Sequence, residues 1–359
     1  GMVPWLATQI QRPETASLMY LQLVAVPFGV VHGTLMATIR LREAVRLTAV
    51  CTIVGVVVTA LTRIVLVLWW SWGISGMIVA AALTHVINAV IVLGWTWRIW
   101  WGPVDAGLLR QMWRRGLPLI PGNLAMWMLL YQDRWLLAGH IDAVAQGHYA
   151  LAAMLVTLLA LVIDPFKNAW QPVALAQVTT SAIVPTTLRW YVALAGAVAL
   201  VTGVWARELL WVLAGPAAMA AAPLVWPLLL VPICSGALTI VGLIPTARGQ
   251  TAVLAWSTLA AAIVNTLLNL VLIPRYAAMG AGIATGVAAL LMPVLLWWQS
   301  QRLQPQAYAY PRMLGTLALV VAGAVLTSVW PVWWVRILTC VGYLLIVAYT
   351  ERAFLRRPW

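Results

Sequence analysis

Charge is what this chain has least of. Only 8% of its 359 residues are charged, with 21 basic and 8 acidic side chains, whereas about a quarter of a soluble domain is charged. A chain so poor in charge has no means of covering itself with polar surface. Cysteine is nearly absent too: Cys51, Cys234 and Cys340 lie far apart inside apolar stretches, which suggests neither a metal spacing nor a disulfide framework. Short segments of alternating polarity, the signature of a membrane β-barrel, are not visible. Nor is a cleavable leader, because the first apolar block is long enough to span and is followed by Arg40, Arg42 and Arg46.

What is present is apolar. Hydrophobic residues make up 64% of the chain and fall in blocks of 18 to 26, the length a helix needs to cross about 30 Å of hydrocarbon. The pattern predicts an all-α polytopic membrane protein with eleven spans, at residues 17–39, 47–70, 74–99, 117–139, 147–171, 187–206, 223–244, 252–273, 277–299, 313–330 and 333–350. Taking the loops alternately, one side holds Arg40, Arg42, Arg46, Arg98, Arg110, Arg114, Arg115, Arg189, Arg248, Arg302, Arg312, Arg352, Arg356 and Arg357. The other holds only Arg12, Arg207, Arg275 and Arg336. The positive-inside rule then makes the rich side cytoplasmic, together with the C-terminus. The net charge of +13 is mainly this topology signal. Its arginines are spread over separate loops, so nucleic acid is not expected as a partner, whereas attraction to membrane lipids is.

An internal repeat changes the architecture. Residues 65–82, VLVLWWSWGISGMIVAAA, resemble residues 269–286, NLVLIPRYAAMGAGIATG, with Gly76 falling on Gly280, 204 positions later. With that offset spans one to three pair with spans seven to nine. Spans four to six lack counterparts, which predicts three further helices, about 90 residues, ahead of Gly1. A cloning scar before a start at Met2 is the alternative reading of the first two residues.

Two segments carry a family resemblance. Residues 116–176 contain Gly116, Pro118 and Pro121, then Asp133 and Arg134 within a span, then Gly147 and Tyr149, then Phe166, Ala169, Trp170 and Pro172. This order resembles the central segment of bacterial polysaccharide and O-antigen flippases. Residues 265–285, with Asn265, Asn269, Pro274 and the Gly280–Ala281 pair, resemble a second motif of that family, with Ala277 standing where the family tends to carry glycine. The resemblance implies the fold of the multidrug, oligosaccharidyl-lipid and polysaccharide exporters: two six-helix lobes around a central cavity, often with two added C-terminal helices. On that plan residues 1–100 form a partial first lobe, 101–300 the second lobe, and 301–359 the added pair and cytoplasmic tail. The resemblance further implies a transporter of the bacterial inner membrane, not an enzyme. It would flip undecaprenyl-diphosphate-linked repeat units of O-antigen, capsule or exopolysaccharide, alongside a polysaccharide polymerase or other assembly proteins.

An ionisable side chain in mid-span costs roughly 2.5 to 3.5 kcal/mol on insertion scales, so by default it faces a cavity or a partner. Arg63 lies 16 residues into the second span, and either enters a cavity or snorkels to the interface beside Trp69, Trp70 and Trp72. Asp133 and Arg134 point about 100° apart on a helix. They line a cavity, or else lock neighbouring spans together. Asp164 and Lys167 share a face at i and i+3, between Pro165 and Pro172, whose predicted bend would free carbonyls to line a polar cavity. There Asn168, Trp170 and Gln171 would offer hydrogen bonds and a stacking face for sugar; the competing reading puts Lys167 at the cytoplasmic interface. Asn265 and Asn269 read as inter-helix glue, and His85 with Asn88 gives no metal geometry.

Flipping by alternating access requires no cofactor, although a buried carboxylate such as Asp133 or Asp164 would suit a coupling proton or Na⁺. The rival within the superfamily is a multidrug and toxin extrusion antiporter, which predicts an acidic cavity for cationic drugs. Only two carboxylates lie within the spans, against Arg63, Arg134 and Lys167, so an anionic substrate fits better. A polytopic enzyme of polysaccharide assembly usually calls for a sizeable outer loop with catalytic acids or bases, and a purely structural scaffold leaves the mid-span charges unexplained.

Overall fold

The computed structural model describes residues 16–41, 45–100, 105–117, 120–177, 183–250 and 252–355. They are helical nearly throughout, as the composition predicts, since in hydrocarbon a helix satisfies its own backbone groups. Two compact units divide the chain, Gly1–Leu109 and Arg110–Trp359.

In the first unit α1 is Ala16–Leu41, α2 is Val45–Arg63, and α3 is Gly73–Trp100. A π-helical stretch, Ile64–Trp69, prolongs α2. Leu35, Ile39, Cys51 and Val92 form the core between the three helices, and Gln22 Nε2 donates to the carbonyl of Ile78 at 2.7 Å, tying α1 to α3.

A short helix, α4 (Ala106–Gly116), follows. The span pattern places a loop here, because an 11-residue helix interrupted by three arginines has no run long enough to span. The second unit then comprises α5 (Ile120–Ala138), α6 (Ala143–Gln177), α7 (Ile183–Val204), α8 (Ala206–Ala214), a 3₁₀ turn Pro216–Ala221, α9 (Ala222–Val241), α10 (Leu243–Ala247), α11 (Ala252–Leu303), α12 (Tyr310–Val329) and α13 (Trp333–Leu355). One core joins Leu137, Tyr149, Leu210, Val225, Leu228 and Ile273 across α5, α6, α8, α9 and α11. Another gathers Tyr191, Ile240, Leu243 and Leu296 from α7, α9, α10 and α11. Arg336 of α13 pairs with Glu208 of α8, fastening the last hairpin to the unit.

Nine stretches among the described residues are long and apolar enough to cross a membrane. One is the 52-residue α11, where only Ala277 departs from helical geometry, at φ 50° and ψ −131°; it holds two of the spans read from the sequence. The remaining span is α5, 19 residues long but made more polar by Gln132, Asp133 and Arg134. Counting the two arms of α11 separately and adding α5 recovers the eleven expected spans. α6 is longer than its span, at 35 residues, and Pro165 and Pro172 both lie within it.

The repeat recurs in backbone geometry. Gly73, at φ +55°, is the counterpart of Ala277 at the same offset, and the two share a positive φ just before a span opens. At Gly76 an added Cβ would stand 2.9 Å from the Leu66 carbonyl oxygen, and at Gly280 it would stand 2.3 Å from that of Leu272. In both halves the span folds back so tightly on the preceding one that only glycine fits.

Candidate functional site

A buried polar chain runs through the second unit. The α5 helix presents Asp133 inward and Arg134 outward, as two adjacent helical positions must. Asp133 is 3% exposed and Tyr149 on α6 is 1% exposed, and the tyrosine hydroxyl donates to the carboxylate. The Arg134 backbone N–H donates to the other oxygen at 2.7 Å. Thr285 on the second arm of α11 lies beside the same hydroxyl and accepts from Asn265 Nδ2 at 3.3 Å. Asn269 Nδ2 in turn donates to Asn265 Oδ1 at 3.1 Å, an oxygen that also accepts from Gln132 Nε2. Thr266 closes the chain, donating to Gln132 Oε1 at 2.9 Å. Asn265 and Asn269 are both fully buried, and the Asn269 Oδ1 has no hydrogen-bond partner among the described residues. An anionic carboxylate and an unpartnered amide oxygen in a dry interior are costly unless something positive relieves them.

The reverse face of α5 is open. Arg134 is exposed and lies over the Tyr131 ring, 5.4 Å from its centroid; Trp127 stands 5.8 Å from Tyr131. A guanidinium beside two aromatic faces is a combination that takes phosphate and sugar together.

A second cluster sits on α6. Lys167 Nζ reaches Asp164 at 2.6 Å and Ser235 of α9 at 3.0 Å, so the predicted i, i+3 pair forms. Trp170 stacks on Phe166 at 6.2 Å, and Phe166 on Tyr191 of α7 at 6.1 Å, while Tyr191 donates to the carbonyl of Ile233 at 2.7 Å. Gln171 is half-buried nearby on the same helix. Asn168 lies on that helix, but its side chain falls outside the described residues.

Arg63 belongs to a different place. Within the first unit it lines a cavity of about 620 Å³ with His32, Thr52, Thr59 and Asn88. Nδ1 of His32 and Oδ1 of Asn88 are buried there without a partner among the described residues. The structure thus pairs Asp164 with Lys167, stacks Trp170 on Phe166 and sets Asp133 back to back with Arg134. Sequence reasoning missed Gln132, Tyr131, Trp127 and Ser235 because isolated polar or aromatic residues in apolar helices carry no spacing signal. Tyr149 was visible as a motif residue but not as the partner of Asp133. Among the described residues no three His, Cys, Asp or Glu side chains gather as a metal site.

These helices define a multi-pass membrane protein with internally repeated halves. The structure is similar to that of "Lipid II flippase MurJ, inward closed conformation", with a TM-score of 0.74 over 95% of this chain and 75% of that one, at 9% sequence identity. At that identity the likeness is one of fold. It bears out the exporter architecture expected from the motifs and does not single out the O-antigen branch. No family model matches the sequence, and neither does any curated protein.

Proposed function

We propose that this chain flips a lipid-linked oligosaccharide across the membrane by alternating access. The observation that carries the reading is the exporter fold shared with a lipid II flippase over 95% of the chain. Its mid-span basic residues, Arg63, Arg134 and Lys167, suit a diphosphate headgroup better than a cationic drug, because a guanidinium or ammonium in a weakly screened site favours anions. The motifs of residues 116–176 favour undecaprenyl-diphosphate-linked repeat units of O-antigen, capsule or exopolysaccharide, moved outward across the bacterial inner membrane. Within the second unit we place Arg134 with Tyr131 and Trp127 on the diphosphate and first sugar, and Asp164, Lys167, Trp170 and Gln171 on the glycan; within the first unit, Arg63 offers a site for an anionic group.

Asp133 takes a different part, that of the coupling site. A proton or Na⁺ held by its carboxylate would relieve the buried charge. Binding or release of that ion would then favour different states of the transporter.

Gene deletion tests the reading. Full repeat units on undecaprenyl diphosphate should accumulate at the inner face, and purified protein in liposomes should translocate them. Completed units reaching the periplasm unpolymerised would instead point to a polymerase, and ordinary glycan export with heightened drug sensitivity would point to the extrusion antiporter.

A further inference from the structure

The short helix α4 lies where the chain passes from the first unit to the second. It begins where Asp105 caps it, Oδ1 accepting from the N–H of Gly107 at 2.7 Å and of Leu108 at 3.3 Å; a carboxylate here also matches the positive end of the helix dipole. Beyond the cap, residues 106–117 hold Arg110, Arg114 and Arg115 and no acidic residue. At 100° per residue, Leu108, Met112, Leu109 and Trp113 occupy an arc of about 140°, and Arg110, Arg114 and Gln111 fall on the opposite arc. Arg115 falls at the edge of the apolar arc beside Leu108, and the arc is not packed: Leu108, Leu109, Met112 and Trp113 are 56%, 49%, 63% and 63% exposed, and every described side chain from Asp105 to Arg114 is exposed.

Four large apolar side chains in a row form a patch that water does not tolerate cheaply. The helix connects one span, α3, to the next, α5, so its ends start from the membrane surface. It is too short and too charged to enter the bilayer across its thickness. One environment satisfies both faces, namely the boundary between acyl chains and headgroups. We propose that α4 is an interfacial anchor, lying along the membrane with Leu108, Leu109, Met112 and Trp113 among the acyl chains and Arg110 and Arg114 on anionic lipid headgroups. Charge complementarity selects this occupant, because a purely apolar contact would not require an arginine-bearing, acid-free opposite face. The anchor is independent of whatever the protein transports.

Hydrogen exchange of the full-length protein in lipid nanodiscs tests it, read on peptides covering residues 105–117. Discs containing phosphatidylglycerol should slow exchange in this segment roughly tenfold relative to discs of phosphatidylcholine alone. The difference should vanish when salt is raised from about 0.1 M to about 1 M, which shortens the screening length from ~10 Å to ~3 Å. It should also vanish in the Arg110→Gln/Arg114→Gln double variant, while α5 and α6 peptides stay unchanged. Equal exchange in the two lipids overturns the proposal. So does protection that survives the double substitution, which would mean that the helix is held by protein. Should the double variant fail to assemble, the salt response of the unaltered protein decides alone.

Discussion

Tyr149 donates its hydroxyl to Asp133 from the neighbouring helix, with both side chains almost wholly withdrawn from the surface. This bond joins α5 to α6 and makes each group answerable for the other. A carboxylate so placed depends on its donors, because removing one leaves an uncompensated acceptor in a dry interior.

Tyr149→Phe removes that donor and keeps the ring. It should lower stability by about 1–3 kcal/mol, read as the thermal midpoint in detergent. Asp133→Asn keeps one oxygen that can accept from Tyr149 and abolishes the charge, but turns its amide NH2 toward the Arg134 N–H, so it should cost about 1–3 kcal/mol. If the pair acts as one unit, Asp133→Asn should shrink the cost of Tyr149→Phe, and strictly additive losses would show that the bond contributes nothing.

Transport should separate from folding at Asp133. Asp133→Asn protein is expected to insert and bind substrate but lose its response to an imposed proton or Na⁺ gradient in liposomes. Gradient-driven flipping at the unaltered rate would remove Asp133 from the coupling role.

Arg63→Ala and Arg134→Ala each withdraw a charge-assisted contact, worth roughly 1.5–3 kcal/mol, from the anionic substrate. Export should fall at least about tenfold in each while membrane insertion is unchanged. Both residues are exposed within the units they belong to, so misfolding is not the expected cause. Normal surface polysaccharide in both variants would overturn the assignment.

Ala277 carries a conformation that suits glycine, φ 50° and ψ −131°. Ala277→Gly should therefore stabilise the protein by about 1 kcal/mol, since relief of the Cβ clash outweighs the added freedom of the unfolded chain. Gly280→Ala three residues on should do the opposite, by about 1–3 kcal/mol, because the new Cβ would meet the Leu272 carbonyl oxygen at 2.3 Å. Thermal midpoints that move together in the two variants would contradict this account of the turn.

The eleven spans and the repeat were open to view in the primary structure, and for a simple reason. A hydrocarbon slab imposes one length and one polarity on every segment that crosses it, and a tight turn between spans imposes glycine wherever backbone meets backbone. That is why the Gly76–Gly280 correspondence could be found by inspection. The departure at Ala277 was likewise visible in a motif before its positive φ was known. The i, i+3 pairing of Asp164 with Lys167 is a local property of a helix and was equally legible.

Partnerships between helices were not. Which of the two adjacent charges, Asp133 or Arg134, turns inward depends on the rotation of α5 against α6 and α11, and in a helix apolar on all sides no moment marks that rotation. The bond to Tyr149, the amide chain through Asn265 to Asn269, and the contact of Lys167 with Ser235 all cross from one helix to another. The amphipathic face of α4 lay in the sequence, but a search for spans passes over a segment too short and too basic to be one. Composition and periodicity thus determined that the protein is a bundle of membrane-crossing helices with repeated halves. Tertiary packing alone decided where its few polar groups meet, because hydrocarbon sets the length and polarity of each helix and is indifferent to the direction in which it faces.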